Sequence, residues 1–543
     1  MALPGDWPQA RGSAGIDYDW VVIGSGFGGS VAALRLVEKG YRVLVLEKGR
    51  RWSDAELPGG TDDKRRFLWS PRLGLTGIMT ISGFRHLFSS SQIGVGGGSL
   101  VYGGVLFRPH SGFYDDPQWR DLGPWQERLQ PHFTEAERML GARTTPWESA
   151  QMQLLRGGPP TIWARGRPFK APTGVYFGAP GLTVDDPYFG GDGPPRTGCT
   201  RCGACMTGCR TGAANSLTKN YLWFAERSGA HVVPRREVVD VRPIGAADGT
   251  DGYEVTSVHS GTLHRRRETV RVSGVVFAGG GIGTNQLLAM CKRRGSLPRL
   301  SERLGCLVRT NSESVMSVLL PEDRETWRDV AASSRVIVDG NTQVEFLTYG
   351  RRGDFMRVFF TLLAPGSTRP ERLKAWGKAV VRHPARLART LRGKGWSRRT
   401  VMMLVMQPYD NALAFTTVRR RLGRGWRLVT RADPQRPAPV ALAVGHEIAE
   451  WLARETGGIP QGSVFEALGD RTFTAHVLGG AVIGADPDSG VVDENQAVFG
   501  YANMLVTDSA ALPANPGVNP ALTITALAEH APPRFPSNPA ALT

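Results

Sequence analysis

The chain has 543 residues, which is too long for one compact core, so two or more domains are expected. Hydrophobic residues make up 41% and charged residues 21%, as in ordinary globular proteins, and no apolar run approaches the roughly 18 residues of a membrane span. The first twenty residues lack the basic start and apolar block of a secretory signal, so a cytoplasmic protein is expected. The formal net charge of +17 is unusually high, and much of it lies in one segment.

The N-terminal segment DYDWVVIGSGFGGSVAALRLVEKGYRVLVLEKG predicts a βαβ unit. A strand is predicted at 18–23, followed by a G-x-G-x-x-G turn at Gly24, Gly26 and Gly29. A helix at 28–38, closed by Gly40, leads to a second strand at 42–46. Glycines in such a turn let the backbone approach a pyrophosphate at the helix N-terminus. Glu47 follows the second strand, where an acid takes the ribose hydroxyls and disfavours a 2′-phosphate. The pattern therefore predicts binding of FAD or NAD, and not of NADP.

Two further motifs favour FAD over NAD. A second glycine block, GVGGGSLVYGG at 94–104, lies where a nicotinamide enzyme needs none, although a tight turn alone would also explain it. Near the C-terminus, MLVTDSAALPANPGVNPALTITALAEHA predicts a strand at 504–507 ending in Asp508 and a helix at 521–530, with Asn519 as N-cap and Pro520 as the first helical residue. The positive end of that helix suits an anionic group such as a reduced flavin.

The run GCTRCGACMTGC has the spacing C-x2-C-x2-C-x3-C of bacterial ferredoxins, and we call its four cysteines the cysteine quartet (Cys199, Cys202, Cys205 and Cys209). Arg210 replaces the proline that usually follows, and no second run exists, so all four cysteines would serve one site. Three interpretations stay open: an iron–sulfur cluster, a zinc ion, or four free thiols. Cys291 and Cys306 stand alone and are expected to be buried thiols.

The segment 369–399 holds eleven basic residues against one acid, Glu371. Apolar residues recur at helical intervals, so the segment predicts two short basic amphipathic helices separated near Pro384. Two interpretations stay open: a solvated basic insertion, or a peripheral contact with anionic lipid. Nucleic-acid binding is not expected, because no recognised binding module accompanies the charge.

Four segments together resemble the glucose-methanol-choline (GMC) oxidoreductases: the front βαβ unit, the block at 94–104, AHVLGGAVIG, and VTDSAALPANPGVNPALTITALAE. The resemblance is to the cholesterol-oxidase-like branch of mycobacterial type, whose pattern also includes the cysteine quartet. It implies an α/β fold with a Rossmann-like domain for non-covalent FAD and an inserted substrate domain floored by a β-sheet. The implied FAD-binding domain comprises 17–110, 196–315 and 470–532, the substrate domain 111–195 and 316–469, and the tails 1–16 and 533–543.

The resemblance also implies functional residues. His476 becomes the general base for an alcohol, Asn519 its partner at the flavin, and Glu345 the group that shifts a steroid double bond after oxidation. The implied flavin contacts are Gly24, Gly26, Phe27, Gly28, Gly29, Glu47, Gly94, Gly97, Gly98, Ser99, Val238, Ala278, Gly279, Asp508, Asn519 and Pro520. Two positions depart from the family pattern: Val477 replaces a proline, and 101–104 lack an asparagine, which weakens the steroid assignment but not flavin binding.

The sequence thus predicts an FAD-dependent oxidoreductase that converts a hydrophobic secondary alcohol, foremost a 3β-hydroxysteroid, to a ketone. Some flavin dehydrogenases of this superfamily carry a cluster at such a quartet, which favours a 4Fe-4S or 3Fe-4S cluster and an acceptor among quinone, a redox protein and O2. The alternatives are a dehydrogenase of a sugar or other polar alcohol, and a non-catalytic electron-transfer flavoprotein.

Overall fold

The computed structural model describes residues 15–158, 166–262, 265–338, 340, 342–420, 425–531 and 538. Predictions for the tails at 1–16 and 533–543 fall almost entirely outside these residues. The helices are α1 (Phe27–Glu38), α2 (Lys64–Phe67), α3 (Trp125–Met139), α4 (Ala150–Arg156), α5 (Tyr221–Arg227), α6 (Gly280–Arg294), α7 (Arg369–Arg382), α8 (Pro384–Leu391), α9 (Ala443–Thr456), α10 (Val464–Ala467) and α11 (Ala521–His530).

Fourteen of the described strands form two seven-stranded sheets. Strands of the first sheet are β1 (Tyr18–Ile23), β2 (Val43–Leu46), β12 (His231–Val233), β13 (Arg236–Pro243), β14 (Tyr253–His259), β15 (Arg267–Phe277) and β25 (Met504–Val506). Strands of the second are β8 (Phe169–Lys170), β16 (Ser314–Leu319), β17 (Ser334–Val338), β18 (Thr342–Leu347), β19 (Phe360–Leu362), β20 (Thr400–Met406) and β23 (Ile459–Ser463).

The remaining strands form small ladders. They are β3 (Trp69–Ser70), β4 (Leu75–Thr76), β5 (Met79–Gly83), β6 (Leu87–Gln92), β7 (Arg143–Thr144), β9 (Pro172–Thr173), β10 (Thr183–Val184), β11 (Arg196–Thr197), β21 (Leu413–Arg419), β22 (Trp426–Ala432) and β24 (Thr472–Thr474). Of these, β24 matters for the site, because it pairs in parallel with β6 and ends two residues before His476.

The first sheet contains a parallel core and an antiparallel extension. β12, β2, β1, β15 and β25 are parallel neighbours in that order, and the N-terminal half of β15 pairs with β14 and then β13 in an antiparallel meander. The parallel strands are almost fully apolar and buried, as expected for strands covered on both faces. Their carboxyl ends meet at one edge, where ligands bind in sheets of this kind.

The second sheet is antiparallel throughout. Alternate residues such as Val344 and Met403 face α9 and form one core cluster. The opposite face carries a second cluster that includes Leu347, Met402 and Leu404. Both faces are therefore covered, and all six residues of β18 are buried, whereas its alternating sequence predicts a strand with one covered face.

The predicted mixed α/β, Rossmann-like fold is confirmed, with β1 matching 18–23 and α11 matching 521–530. Three predicted bounds are off by one residue, since α1 begins at Phe27, β2 at Val43, and β25 ends at Val506. The two predicted basic helices are present as α7 and α8. The domain boundaries stay a prediction, and so does the cytoplasmic location. Among the described residues, no helix is long and apolar enough to cross a membrane.

Candidate active site

The turn after β1 is held between neighbouring strand ends. The Gly24 amide donates to the carbonyl of Leu46 (2.9 Å), and the Ala278 amide after β15 donates to that of Ile23 (2.9 Å). A methyl group on Gly28 would lie 1.9 Å from the carbonyl oxygen of Thr507, so α1 packs directly on the chain leaving β25. The start of the turn, Ala278 and Thr507 therefore share one edge of the sheet.

The second glycine block lies against the first turn. A methyl on Gly97, whose φ is +50°, would lie 2.7 Å from the Cα of Gly26. The Ser25 hydroxyl accepts from the Gly96 amide (3.1 Å) and donates to the Glu47 carboxylate (2.7 Å), which also accepts from the Gly49 amide (2.7 Å). Burial raises the pKa of Glu47, and these hydrogen bonds partly offset it. The two glycine segments and Glu47 thus form one unit, although the Ser25–Gly96 hydrogen bond joins residues 71 apart in sequence.

The residues at this edge fit the flavin dinucleotide that the motifs predict. Gly26 is the N-cap of α1, and a methyl built on it would meet no atom within 4 Å. The turn thus exposes backbone beside the positive end of α1, as a bound pyrophosphate requires. FAD would be held here by the 24–29 turn and Glu47, with the 94–99 segment alongside.

The remaining predicted flavin contacts divide into two groups. Phe27, Ala278 and Gly279 lie at this strand-end edge, whereas Val238 is buried in the middle of β13. Ser99 is buried and its hydroxyl is committed, donating to the Gly96 carbonyl (2.6 Å) and accepting from the Leu217 amide (2.9 Å). Their contact with a cofactor stays a prediction.

Asp508 holds the start of α6. Its carboxylate accepts from the Gly280 amide (2.7 Å), the Thr284 hydroxyl (2.5 Å) and the Ala510 amide (2.8 Å). Burial raises the pKa of Asp508 to about 6. The carboxylate thus ties α6 to the segment after β25.

The prediction that Asn519 caps the last helix is wrong. The N-cap of α11 is Pro520, in a helical conformation with no side-chain cap. The Asn519 amide instead accepts from Arg335 (3.1 Å) and approaches the Glu345 carboxylate (3.5 Å). The physical reason is that the charged guanidinium of Arg335 makes a stronger hydrogen bond to the carboxamide oxygen than the backbone amides of a helix end would.

His476 is held by a buried carboxylate that sequence reasoning missed. Its Nδ1 lies 2.6 Å from Glu313, which precedes β16 and is only 1% exposed. Glu313 also accepts from the Thr474 hydroxyl (2.6 Å) and the Ala475 amide (3.0 Å). With Nδ1–H donated to Glu313, the second ring nitrogen, Nε2, has no hydrogen-bond partner among the described residues. The imidazole is thus oriented as a general base.

The electrostatics of this pair favour a basic histidine. Burial lowers the pKa of His476, but the charge and hydrogen bond of Glu313, with a further contribution from Glu345, outweigh it and raise the pKa above its usual range. Asn311 lies 3.2 Å from Nδ1 and donates to the Val518 carbonyl (2.8 Å), which joins this pair to the segment before α11.

A second polar cluster lies on the sheet face opposite α9. Glu345 on β18 stands in register with Arg335 on β17, to which it is paired, and accepts from Gln343 (2.9 Å). Glu345 and Arg335 are both fully buried, and Asn519 is nearly so. Burial lowers the pKa of Arg335, and the Glu345 carboxylate opposes that shift. The structure thus brings Glu345 and Asn519 together and keeps Glu345 near enough to His476 for its charge to act there.

Two functional residues, Glu313 and Arg335, were missed for different reasons. Arg335 lies inside the apolar run SRVIV, and a charge in a buried strand needs a partner, so a signal was present. Glu313 lies in NSES, a polar segment with no periodicity, and its partner is 163 residues away. Only the three-dimensional structure identifies it.

The cysteine quartet surrounds one small cavity that also contacts Asp329. Cys199 is buried, Cys202 is exposed, and Cys205 and Cys209 are half-buried. Burial raises the pKa of Cys199 to about 12 and that of Cys205 well above its usual range. Across the described ranges, no group of three or more His, Cys, Asp or Glu side chains could hold a metal ion, so the predicted iron–sulfur cluster is not supported.

The two isolated cysteines differ from each other. Cys291 on α6 is buried, as expected, whereas Cys306 is partly exposed, so the prediction of a second buried thiol is wrong. Cys306 lies in the turn between α6 and β16, which the hairpin β21–β22 covers only partly.

Comparison with known proteins agrees with this geometry. The family model described as GMC oxidoreductase matches residues 429–528, and that of an NAD(P)-binding Rossmann-like domain matches residues 22–64. A cholesterol oxidase from Mycobacterium tuberculosis is 42% identical over 535 residues, covering 96% of this chain and 91% of that protein. A cholesterol oxidase from Acinetobacter baumannii is 39% identical over 526 residues, covering 95% and 94%.

Among solved structures, a pyridoxine 4-oxidase from Mesorbium loti shares the fold. Its TM-score is 0.58 at 14% sequence identity, and the match covers 95% of this chain and 99% of that one. A dinucleotide-binding edge together with an oriented histidine is the arrangement of an oxidoreductase that uses a dinucleotide cofactor. The chain belongs to the GMC oxidoreductase family and is similar to its cholesterol oxidases. It is an FAD-dependent alcohol oxidoreductase acting on CH–OH groups.

The geometry of the turn predicts the effect of Gly26→Ala. The added methyl clashes with no protein atom but occupies the side of the turn that FAD would approach, so FAD binding weakens by about 1–3 kcal/mol. Fluorescence titration of the apoprotein with FAD measures this loss. Gly283→Ala, an exposed methyl in equally open space on α6, is the matched control and leaves FAD affinity unchanged. Equal FAD affinity for Gly26→Ala and the wild type would contradict the assignment.

The Glu313–His476 pair predicts a pH shift. A base must be neutral to accept a proton, so activity falls as pH drops through the pKa of His476. Glu313 raises that pKa, which places the acidic limb above the ordinary histidine value of about 6.5. In Glu313→Gln the opposing charge is lost and burial prevails, so the limb of the pH–rate profile moves to lower pH.

A second buried pair supplies the control for this experiment. His446 lies 2.5 Å from Glu466, and both are buried; Glu466 accepts from Ser314, the chain neighbour of Glu313, but is not among the groups that shift the pKa of His476. Glu466→Gln also removes a buried carboxylate beside a histidine, but its pH–rate profile keeps the wild-type limb. A limb that stays in place in Glu313→Gln, or that moves equally in both variants, would refute the role assigned to Glu313.

Proposed function

We propose that the protein oxidises the hydroxyl of a hydrophobic secondary alcohol, foremost a 3β-hydroxysteroid, to a ketone. The observation that carries the proposal is the Glu313-oriented imidazole of His476 next to a largely apolar sheet face whose charged residues, Glu345 and Arg335, stand together at one corner. That face presents Leu347, Met402 and Leu404.

The polar corner suits one hydroxyl better than several. Glu345, Arg335, Gln343 and Asn519 hydrogen-bond one another, and the buried donors left unpaired in this cluster, Nε and Nη1, belong to the single side chain of Arg335. A sugar, whose many hydroxyls each need a partner on burial, would find too few. A steroid needs a partner only at its single hydroxyl.

The residues take separate parts in the reaction. The Nε2 of His476 accepts the hydroxyl proton while Glu313 stabilises the imidazolium through Nδ1–H. FAD, when bound, supplies the hydride acceptor for the carbinol carbon. Asn519, whose carboxamide Arg335 orients, positions the substrate oxygen. Arg335 pairs with Glu345, whose carboxylate can take a proton from carbon and return it in a double-bond shift.

The relatives support this proposal, because two proteins of about this length and 39–42% identity are named cholesterol oxidases. O2 is then the proposed electron acceptor, with hydrogen peroxide as its product. A non-catalytic electron-transfer flavoprotein would not need the Glu313–His476 pair.

Anaerobic flavin bleaching tests the substrate class. A 3β-hydroxysteroid with a 5,6 double bond is expected to bleach the flavin, while glucose at the same concentration does not. His476→Gln lowers the bleaching rate about 100-fold or more, because it removes the general base. Glu345→Gln still bleaches but releases the unconjugated ketone, which chromatography separates from the conjugated one. Bleaching by the sugar and not by the steroid would contradict the steroid assignment. A fully active His476→Gln variant would contradict the assignment of His476 as the general base.

A second proposal concerns the cysteine quartet: we infer that its thiols, which form no metal-holding group as they lie in the described structure, draw together on an iron–sulfur cluster able to pass single electrons. The supports are the ferredoxin-like spacing and the shared cavity. The loop also contacts the end of the second glycine block, since a methyl on Gly103 would lie 3.2 Å from the sulfur of Met206.

Metal analysis decides this second proposal. Protein purified without oxygen is expected to contain iron and acid-labile sulfide, and Cys205→Ser to lose both while it keeps FAD. Cys291→Ser, which removes a buried thiol far along the chain, is the control and retains both. Wild-type protein that is yellow, free of iron and fully active would refute the cluster.

A further inference from the structure

The segment 369–394 forms a surface that the proposed chemistry does not use. We call it the basic helix pair; it comprises α7, α8 and the following turn, and its exposed cations are Arg369, Lys374, Lys378, Arg382, Arg386, Arg389, Arg392 and Lys394. The ion pairs between described residues in this region involve Arg372 and Arg398, and none of the eight exposed cations. Eight positive charges thus stand uncompensated on one short stretch.

Exposed apolar side chains lie among these charges. The described chain exposes eight large hydrophobic residues: three of them, Leu373, Val381 and Leu391, lie in the basic helix pair, and a fourth, Val358, lies beside it. Val381 is 82% exposed, and Val358 lies in the short helix that packs on α8. A merely solvated basic insertion gives no reason for such a concentration, because apolar surface in water is unfavourable.

Helical geometry arranges the two kinds of residue side by side. On α7, Leu373, Gly377 and Val381 follow one row at intervals of four, and Lys374, Lys378 and Arg382 follow the adjacent row. An apolar row beside a cationic row is the pattern of helices that lie in a membrane interface, where the apolar row enters the acyl boundary and the cations meet phosphates.

The inner face of the pair fixes its orientation. Arg372 is 1% exposed and donates to the Glu466 carbonyl (3.0 Å), and the Trp376 indole donates to the Thr361 hydroxyl (2.9 Å). On α8, Thr390 is buried and accepts from Gln461 on β23 (3.0 Å). The outer rows are therefore held toward solvent and not free to turn inward.

We propose that the basic helix pair docks the protein on a bilayer of anionic phospholipid. Positive charge matches the negative headgroups, and the exposed Val381 and Leu391 need an apolar medium, which a lipid surface provides and a nucleic acid does not. The surface also lies near the proposed substrate region, because Ala379, Val380 and Leu387 pack on the cluster that contains Leu347 and Met402. The proposal stands on the surface alone, so it does not depend on the identity of the alcohol.

Vesicle flotation of the full-length FAD-loaded protein tests the proposal. Vesicles of phosphatidylcholine with phosphatidylglycerol are expected to bind the protein, and vesicles of phosphatidylcholine alone to bind it weakly. Lys374→Gln, Lys378→Gln and Arg382→Gln combined lower the partition coefficient about 100-fold, at roughly a fivefold factor for each cation. Flavin absorbance and the unfolding temperature of each variant establish that it is folded.

A matched control keeps the loss specific. Arg419, Arg427 and Arg431 on the hairpin β21–β22 are also exposed, and their combined change to Gln removes the same charge but leaves vesicle binding unchanged. A further variant, Val381→Ser with Leu391→Ser, tests the apolar contribution. It keeps every charge and is still expected to lower vesicle binding.

Three results would overturn the proposal. The first is equal binding to both kinds of vesicle, and the second is a loss of binding in the hairpin control as large as in the helix variant. The third is unchanged vesicle binding in the serine variant together with tight, salt-sensitive binding of duplex DNA, which would identify a general polyanion surface.

Discussion

The close packing of α1 on the chain that leaves β25 is the constraint on which the site depends. At Gly28 the two backbones approach so closely that no side chain fits between them. This contact joins residues near the two ends of the sequence and brings the 507–519 segment to the nucleotide turn. Asn519, and through Asn311 the Glu313–His476 pair, are thereby placed beside the dinucleotide edge. A single side chain at position 28 would separate the halves of the site.

The two buried polar clusters then divide the chemistry. Glu313 confers basicity on His476, whereas Arg335 neutralises the Glu345 carboxylate in an apolar setting. Buried charges are costly unless paired, and here each has a partner fixed by a strand. Glu313 precedes β16, and Glu345 and Arg335 lie on β18 and β17, so the antiparallel sheet positions the charges, whereas His476 follows β24 and Asn519 precedes α11.

Much of the fold could be predicted from local pattern, and part of the site could not. The first βαβ unit and α11 were predicted well because periodicity, glycine spacing and helix ends are local signals. Asn519 was misassigned as a cap because its true partners, Arg335 and Glu345, are 184 and 174 residues away. Glu313 lacked any local signal. His476 and Glu345 came from family resemblance, and the structure adds the partners that act on them.

The order of the strands in the first sheet has a consequence for biosynthesis. β15 is flanked by β1 and β25, but β25 is translated more than 200 residues after β15. Until those residues leave the ribosome, one edge of an apolar parallel sheet stays unpaired, and pairing of such distant segments is slow. The nascent chain therefore carries an exposed apolar strand edge until its last segment is made, and it is most prone to aggregation during that interval.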